Sequence, residues 1–296
     1  MNVLAGDQLV QSSPRTLSQR LTRFVGRTPV HIFLVVIALL WLVPTLGLFV
    51  TSFRPRSDIQ ATGWWEILAT LRFTADNYAT VLTEQGMGGA FLNSMSITIP
   101  STILPLVIAS LAAYGFAWMR VPGGDWLFLT MVALMVVPVQ MVLVPLLQMF
   151  NTLGVTTSFV GIWIAHTTYA LPFGIFLLRN FFITLPRDLI EAARMDGASN
   201  LRIFTQLVVP LSVPAIASYG IFQFLWVWND LLMAIIFVQT PDGLPMPVQI
   251  NNLLTTYGTE WHLLSAGAFL LMVVPLAVFF SLQRYFVQGL LAGSVK

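Results

Sequence analysis

Residues 30–50 read VHIFLVVIALLWLVPTLGLFV, a run of 21 positions without a single Asp, Glu, Lys or Arg. A helix needs about 20 consecutive, mostly apolar residues to cross the hydrocarbon core of a bilayer. Lipid offers no hydrogen-bond partner to an open backbone, so a stretch that spans a bilayer must be helical. The run therefore predicts a transmembrane helix.

The composition of the whole chain agrees with a protein that is surrounded largely by lipid. Of its 296 residues, 57% are hydrophobic and only 9% are charged, whereas a soluble domain has about 25% charged residues. So few charges cannot form a water-facing surface. Cysteine is absent, which excludes disulfide scaffolds, thiolate metal sites and cysteine nucleophiles.

Five more apolar stretches follow the first. The second and fifth are longer than one crossing requires, so we expect them to tilt or to include short re-entrant or surface pieces. The predicted fold class is an all-α polytopic membrane protein with six transmembrane helices. The predicted spans cover residues 30–50, 89–118, 126–150, 158–178, 207–238 and 263–283.

Basic residues are divided unequally between the two sides of the membrane. Eleven lie in the N-terminal tail (1–29), the C-terminal tail (284–296) and the segments after the second and fourth spans. Only Arg54, Arg56 and Arg72 lie on the other side. Because positively charged loops stay in the cytoplasm, we expect both termini there. No cleavable signal is evident, and the expected location is a bacterial inner membrane.

The remaining charge pattern excludes two function classes. A net charge of +2 without a basic run argues against a nucleic-acid partner. The one lysine is Lys296, whereas a phosphate-binding loop needs a lysine in its glycine-rich turn. We therefore predict no nucleotide-binding motif, no enzymatic activity and no cofactor in this chain.

The segment that joins the fourth and fifth spans, residues 179–206, reads RNFFITLPRDLIEAARMDGASNLRIFTQ. Pro186 suits the first turn of a helix, and Asp188 and Glu191 follow where the helix dipole favours acidic side chains. Gly197 readily takes the left-handed conformation that ends a helix. The segment therefore predicts a short cytoplasmic helix, followed by a second one that runs into the fifth span.

Leu189, Ala192 and Ala193 recur at spacings of three and four, which predicts a narrow apolar face on this helix. Two interpretations fit such a face. In one, the helix lies on lipid headgroups; in the other, its small side chains insert into a groove on another protein. Adjacent alanines make poor membrane anchors, which favours the groove.

The same segment carries a motif with fixed spacing. EAA at 191–193 is followed after three residues by Gly197 and after nine more by LVVP at 207–210. This pattern resembles the EAA loop of binding-protein-dependent ABC importer permeases, whose usual form is EAA, three residues, glycine, nine residues and I-x-L-P. Here Leu207 replaces isoleucine and Val209 replaces leucine, and both changes keep the apolar character.

The resemblance implies that residues 179–206 form a coupling loop. In the family, the helix of this loop docks in a cleft of an ATP-hydrolysing subunit, and its glutamate meets a basic residue there. The residues to which the resemblance gives this coupling role are Glu191, Ala192, Ala193, Arg194, Asp196, Gly197 and Pro210.

Two other stretches resemble the carbohydrate branch of these permeases, and within it the second of the paired maltose permeases. They are QFLWVWND at 223–230 and RYFVQGLLAGSVK at 284–296. The resemblance implies a second permease subunit, two copies of an ATP-binding subunit that holds ATP and magnesium, and an external sugar-binding protein. It points to an α-glucoside, a di- or oligosaccharide or a glucosyl osmolyte as substrate.

Polar residues within the spans are candidates for a sugar pathway, since aromatic faces stack on sugars and amides bond hydroxyls. Asp230 is the only acid in the predicted spans, and a charge there costs roughly 2.5–3.5 kcal/mol. Equally, Asn229 and Asp230 could cap or break an overlong span. The pathway candidates are Asn93, Gln140, Tyr219, Gln223, Trp226, Trp228, Asn229 and Asp230.

Residues 239–262, which we call the outer loop, are rich in turn residues and amides. In permeases of this type the matching loop reaches toward the external binding protein. The resemblance therefore assigns such a contact to Asp242, Gly243, Asn251 and Asn252. The three histidines, His31, His166 and His262, are isolated in the sequence, so we predict no metal site.

Two other classes of protein compete with the ABC permease. A free-standing secondary carrier or channel predicts inverted repeats and paired intramembrane charges, and the sequence shows no convincing repeat. An intramembrane enzyme needs a buried catalytic dyad or a metal cluster, and the sequence shows neither a second acid nor a matched histidine for Asp230. Neither class gives the coupling loop a purpose.

Overall fold

The structure is a computed structural model, and it describes residues 17–156, 158–238, 240–256 and 260–292. The chain divides into two compact units, residues 1–50 and 51–296. We describe the regular structure of each unit in turn.

One helix, α1 (Leu17–Ser52), accounts for the described part of the first unit. Its apolar portion, Thr28–Ser52, is long enough to cross a membrane and includes the first predicted span, 30–50. The helix begins within the predicted tail (1–29), so the prediction marked the start of the apolar portion rather than that of the helix. The first 16 residues of that tail lie outside the described residues.

The second unit consists of helices and connections, and no strand occurs in the ranges that the structure describes. Short turns of 3₁₀ helix cover Trp64–Glu66 and Pro241–Gly243, and Phe204–Val208 form a π-helical turn. The α-helices are α2 (Arg56–Ala61), α3 (Ile67–Thr70), α4 (Asp76–Thr83), α5 (Met87–Trp118), α6 (Gly124–Leu134), α7 (Val139–Leu153), α8 (Phe159–Phe182), α9 (Arg187–Met195), α10 (Asn200–Ile203), α11 (Val209–Leu211), α12 (Val213–Trp228), α13 (Leu232–Phe237), α14 (Met246–Thr256) and α15 (Trp261–Ala292).

Three long helices of this unit coincide with predicted spans. The helices α5 and α8, and the portion Trp261–Gln283 of α15, are each apolar and long enough to cross a membrane. The helix α8 continues into the first four residues of the predicted coupling loop. The helix α15 continues to Ala292, so it extends into the predicted C-terminal tail, 284–296; residues 293–296 lie outside the described residues.

The third predicted span, 126–150, is not one helix. The helices α6 and α7 meet there at an angle of 103°. Pro138 stands directly before α7 with extended backbone, φ −63° and ψ 135°. Proline donates no backbone hydrogen bond and disfavours helix at the residue before it, so the two helices form a bent pair.

The fifth predicted span, 207–238, is also divided. The segment Asn200–Leu211 bends by 79° into α12, and Ser212 at the bend leaves the helical region with φ −105° and ψ 10°. Pro214 lies just after this bend. A second break separates α12 from α13. This overlong stretch therefore contains additional pieces, as we predicted, whereas the overlong second span is one continuous helix.

Small residues bring the central helices together. The side chains of Ala109 and Ala113 on α5 are fully buried in a cluster that also contains Leu178 of α8. A Cβ atom added to Gly174 of α8 would lie 2.4 Å from the Tyr219 ring of α12. Small residues allow this close approach of helix backbones, as is common in membrane proteins.

A buried arginine organises the segment between α1 and α5. Arg54 is 1% exposed. Its guanidinium donates hydrogen bonds to the carbonyl oxygens of Asp58 (3.1 Å), Thr62 (3.3 Å) and Gly63 (2.8 Å). These acceptors lie within and just after α2. Arg54 therefore holds the turn that follows α2, and backbone dipoles rather than a carboxylate surround its charge.

Candidate coupling site

The predicted coupling loop forms two short helices, α9 and α10. Pro186 precedes α9 with extended backbone, φ −59° and ψ 125°. Asp188 lies in the first turn of α9 and Arg194 in the last, so both charges agree with the helix dipole. Ser199 caps α10, because its Oγ accepts a hydrogen bond from the backbone N–H of Arg202 at 3.3 Å.

The sequence predicted one apolar face for Leu189, Ala192 and Ala193, and the structure corrects this. Ile190 is 1% exposed, and Ala193 packs beside it against the core. Leu189 and Ala192 remain exposed. Positions 190 and 193 lie three residues apart, on the same side of the helix. This side packs against the core, so Ala193 is partly buried whereas Ala192 is exposed.

The outward surface of α9 contains both apolar and acidic side chains. Met195 is 89% exposed, and Glu191 and Ala192 are exposed beside it. Within the described ranges Glu191 forms no ion pair. Met195, Ala192 and Glu191 lie three and four residues apart, so they share one exposed side of α9.

A Schellman motif around Gly197 ends α9. The N–H of Gly197 donates to the carbonyl oxygen of Arg194, and the N–H of Ala198 donates to that of Ala193, both at 3.0 Å. Gly197 has φ 77°, and a Cβ atom there would meet nothing within 4 Å. Glycine is thus required for backbone conformation rather than for space. Asp196 is the exposed residue before it.

Two side-chain hydrogen bonds attach the coupling loop to α5. The guanidinium of Arg194 donates through Nη2 to the carbonyl oxygen of Trp118 at 2.5 Å. The hydroxyl of Tyr114 donates to Oδ1 of Asn200 at 3.4 Å. The sequence pattern gave Arg194 a place in the motif, but nothing in it indicated this partner.

Three of the pathway candidates are buried and use their polar groups within the chain. The Tyr219 hydroxyl donates to the carbonyl oxygen of Ala170 (3.1 Å), and Gln223 Nε2 donates to that of Ser101 (3.1 Å). The Trp228 indole donates to the carbonyl oxygen of Leu271 at 3.0 Å. These side chains tie α12 to α8, α5 and α15.

Asn229 and Asp230 lie at the break between α12 and α13. Asn229 Nδ2 donates to the carbonyl oxygen of Leu225 at 2.8 Å, and Asp230 Oδ2 accepts from the N–H of Met233 at 2.9 Å. The two side chains thus end one helix and begin the next. His166, which the sequence presents as isolated, lies with its Nε2 3.7 Å from Asp230 Oδ2.

The remaining pathway candidates lie apart from this group. Trp226 is 59% exposed, and Gln140 is exposed on α7. Asn93 of α5 donates to the carbonyl oxygens of Asp242 (2.7 Å) and Leu244 (3.2 Å). The structure therefore does not bring the eight candidates into one cavity.

The outer loop packs on the end of α5 that is opposite to the coupling loop. Asp242 and Gly243 lie in the 3₁₀ turn, and Asn251 and Asn252 are half-buried on α14. Residues 239 and 257–259 lie outside the described residues. In the described part of the chain, no three His, Asp or Glu side chains are placed to hold a metal ion.

In the described residues, four helices are long and apolar enough to cross a membrane, or up to six if each bent pair counts as one span. Residues 105–291 match the family described as binding-protein-dependent transport system inner membrane component. The chain belongs to this family, so it is the permease of an ABC importer. Such permeases are non-enzymatic and depend on a partner ATPase, which excludes the free-standing carrier and the intramembrane enzyme.

Two relatives and one solved structure agree with this assignment. The chain is 53% identical over 293 residues to the osmoprotective compounds uptake permease protein GgtD of Synechocystis sp., covering 97% of this chain and 98% of that protein. It is 52% identical over 231 residues to the alpha-glucoside transport system permease protein AglG of Rhizobium meliloti, covering 76% of this chain and 61% of that protein. A bacterial ABC transporter involved in the import of the acidic polysaccharide alginate has the same fold, with a TM-score of 0.72 and 21% identity over 92% of this chain and 99% of that chain.

Proposed function

We propose that this permease forms half of the pathway through which an α-glucoside or a glucosyl osmolyte enters the cell. The substrate class follows from the two relatives above, which are similar along most of this chain and are named for osmoprotective compounds and for alpha-glucosides. A second permease subunit completes the pathway, and an external sugar-binding protein delivers the substrate.

The observation that carries the coupling role is the exposed surface of α9. Met195, Ala192 and Glu191 face outward, while Ile190 and Ala193 anchor the helix to the core. This surface docks on one of two copies of an ATP-binding subunit, where ATP and magnesium bind. Because α9 is anchored, movement of the ATPase shifts the loop as a rigid body.

The orientation follows from charge. The coupling loop and the N- and C-terminal tails carry most of the basic residues, and basic segments remain on the cytoplasmic side. Both termini and the coupling loop therefore face the cytoplasm, where the ATPase is located, and the outer loop faces the binding protein.

Affinity purification and uptake measurements test this function together. Purification of the tagged permease in mild detergent should recover an ATPase subunit and a second permease. Cells should lose uptake of a labelled α-glucoside or a labelled glucosylated polyol when the gene is deleted, while uptake of a β-linked disaccharide serves as control. Isolation of the permease alone, or unchanged uptake of both labelled compounds after deletion, would contradict the proposal.

A further inference from the structure

The helix α5 connects the two functional ends of the permease. It runs without interruption through 32 residues, Met87–Trp118, which at 1.5 Å per residue is about 48 Å. The hydrocarbon core of a bilayer is only about 30 Å thick. Both ends of α5 therefore extend beyond the apolar core, one toward the coupling loop and the other toward the outer loop.

At its C-terminal end, α5 is bound by both helices of the coupling loop. The carbonyl oxygen of Trp118 is one of the last four in α5, which have no partner within the helix and carry its partial negative charge. The cationic Arg194 of α9 donates to this oxygen. One turn earlier, Tyr114 bonds Asn200 of α10 and packs against Phe204, with ring centroids 5.4 Å apart.

At the other end, side chains of α5 form hydrogen bonds with the backbone of the outer loop. Asn93 donates to the carbonyl oxygens of Asp242 and Leu244, and the buried Ser94 accepts from the N–H of Met246 at 2.9 Å. These contacts fix both the 3₁₀ turn and the start of α14. They are hydrogen bonds to main-chain atoms, so they set the position of the loop without regard to its side chains.

We propose that α5 transmits movement between the coupling loop and the outer loop, and that Arg194 and Asn93 are the positioning residues at its two ends. Arg194 then does not belong to the surface that meets the ATPase, because it points back to α5. When α9 and α10 move, the hydrogen bond from Arg194 displaces Trp118 and with it the helix α5. The other end of α5 then displaces the 3₁₀ turn, to which Asn93 is hydrogen-bonded. This inference rests on the proposed docking of α9 on the ATPase.

The test uses the complete transporter with its ATPase and binding protein, reconstituted in lipid nanodiscs. The measured quantity is the stimulation ratio, the ATPase rate with sugar-loaded binding protein divided by the rate without it. Arg194→Gln removes the cation at one end of α5. Asn93→Asp is nearly isosteric but cannot donate to the two carbonyl oxygens. Each rate is normalised to the amount of assembled complex.

Each single substitution should lower the stimulation ratio about fivefold or more, the lower limit of a typical coupling between distant sites. The double variant should lose no more than either single one, because both residues act in series. Asn93 and Trp118, the residue that Arg194 contacts, are about 38 Å apart along α5. Independent local effects at these two ends would instead multiply. Arg194→Lys, which keeps the cation, should recover part of the ratio.

Arg120→Gln is the matched control, because it removes an exposed positive charge two residues beyond α5. It should leave the stimulation ratio unchanged. Unaltered ratios in both single variants, or losses that multiply in the double variant, would overturn the role of α5. If the wild-type permease retains no ATPase on purification, the proposed docking itself fails, which is a separate result.

Discussion

The residue with the strictest backbone requirement in the coupling loop is Gly197. Its φ of 77° lies in the left-handed region, where side chains other than glycine and asparagine cost about 1–2 kcal/mol. The surroundings leave space for a side chain. The turn between α9 and α10 therefore depends on conformation, and the two helices change their relative direction if it is lost.

We predict that Gly197→Leu abolishes sugar uptake in cells while the amount of permease in the membrane stays normal, because the strain changes the docking surface rather than the bundle. Gly197→Asn should retain most of the uptake, since asparagine tolerates a positive φ. Uptake assays paired with immunoblots of membranes measure both. Normal uptake in Gly197→Leu, or equal loss in both variants, would count against this role of the turn.

Gly174 and Gly220 differ in the space that surrounds them. A methyl group at Gly174 collides with the Tyr219 ring, whereas at Gly220 it meets only the Leu106 methyl groups at 3.7 and 3.8 Å. We predict that Gly174→Ala destabilises the purified permease by roughly 1–3 kcal/mol, the usual cost of overpacking. Gly220→Ala should be neutral or slightly stabilising. Thermal unfolding in detergent compares them, and equal melting temperatures would show that α8 and α12 adjust freely.

At the scale of elements, the break between α12 and α13 depends on a cap. Asp230 satisfies the N–H of Met233 at the start of α13, and loss of such a cap costs about 0.5–2 kcal/mol. Asp230 Oδ2 also lies 3.7 Å from Nε2 of the buried His166 on α8. The same residue is a candidate for the sugar pathway.

We expect Asp230→Asn to keep the cap, because its amide oxygen still accepts from Met233, and to leave the half-saturation concentration for uptake within about twofold of wild type. Asp230→Ala should lower the thermal stability of the permease. Uptake at several sugar concentrations separates the two roles. A rise of tenfold or more in the half-saturation concentration for Asp230→Asn would favour direct sugar binding instead.

The two sides of α9 should respond differently to truncation. Ile190→Ala removes a side chain that is 1% exposed and should destabilise the isolated permease by about 2–5 kcal/mol. Met195→Ala should leave that stability unchanged but lower the amount of ATPase that copurifies. Melting curves and quantified copurification distinguish these effects. Unchanged ATPase recovery with Met195→Ala would remove this residue from the docking surface.

The sequence predicted those elements that depend only on residues close together in the chain. The apolar runs that became α5 and α8 are readable because hydrophobicity and length decide a membrane span. Gly197 was readable because its conformation is set by its own backbone. The bend at Pro138 was missed, and additional pieces were expected in the fifth span without the position of its bend at Ser212. Proline alone does not mark a break, because Pro100 and Pro105 lie within the continuous helix α5.

Contacts between distant residues could not be predicted in this way. His166 and Asp230 are 64 positions apart, and Arg194 and Trp118 are 76 apart. Such pairs follow from the packing of α8 and α9 against the other helices. Likewise, whether Ala192 or Ala193 is buried depends on which side of α9 packs against the helical bundle.

At the scale of the whole molecule, the described part of residues 51–296 places the coupling loop and the outer loop at opposite ends of one helix. The exposed surface of α9 is available to a partner, and the outer loop is held by main-chain hydrogen bonds. The central claim is that the ATPase binds the permease at α9 and that this contact couples ATP hydrolysis to the transport cycle.

A single-cysteine crosslinking experiment tests this claim most directly, because the chain contains no cysteine of its own. Met195→Cys and Leu68→Cys, which is 83% exposed on α3, each receive a photoreactive label in the assembled transporter. We predict that position 195 crosslinks to the ATP-binding subunit and that position 68 does not. A complex that transports sugar yet yields no crosslink from position 195 to that subunit would contradict the account.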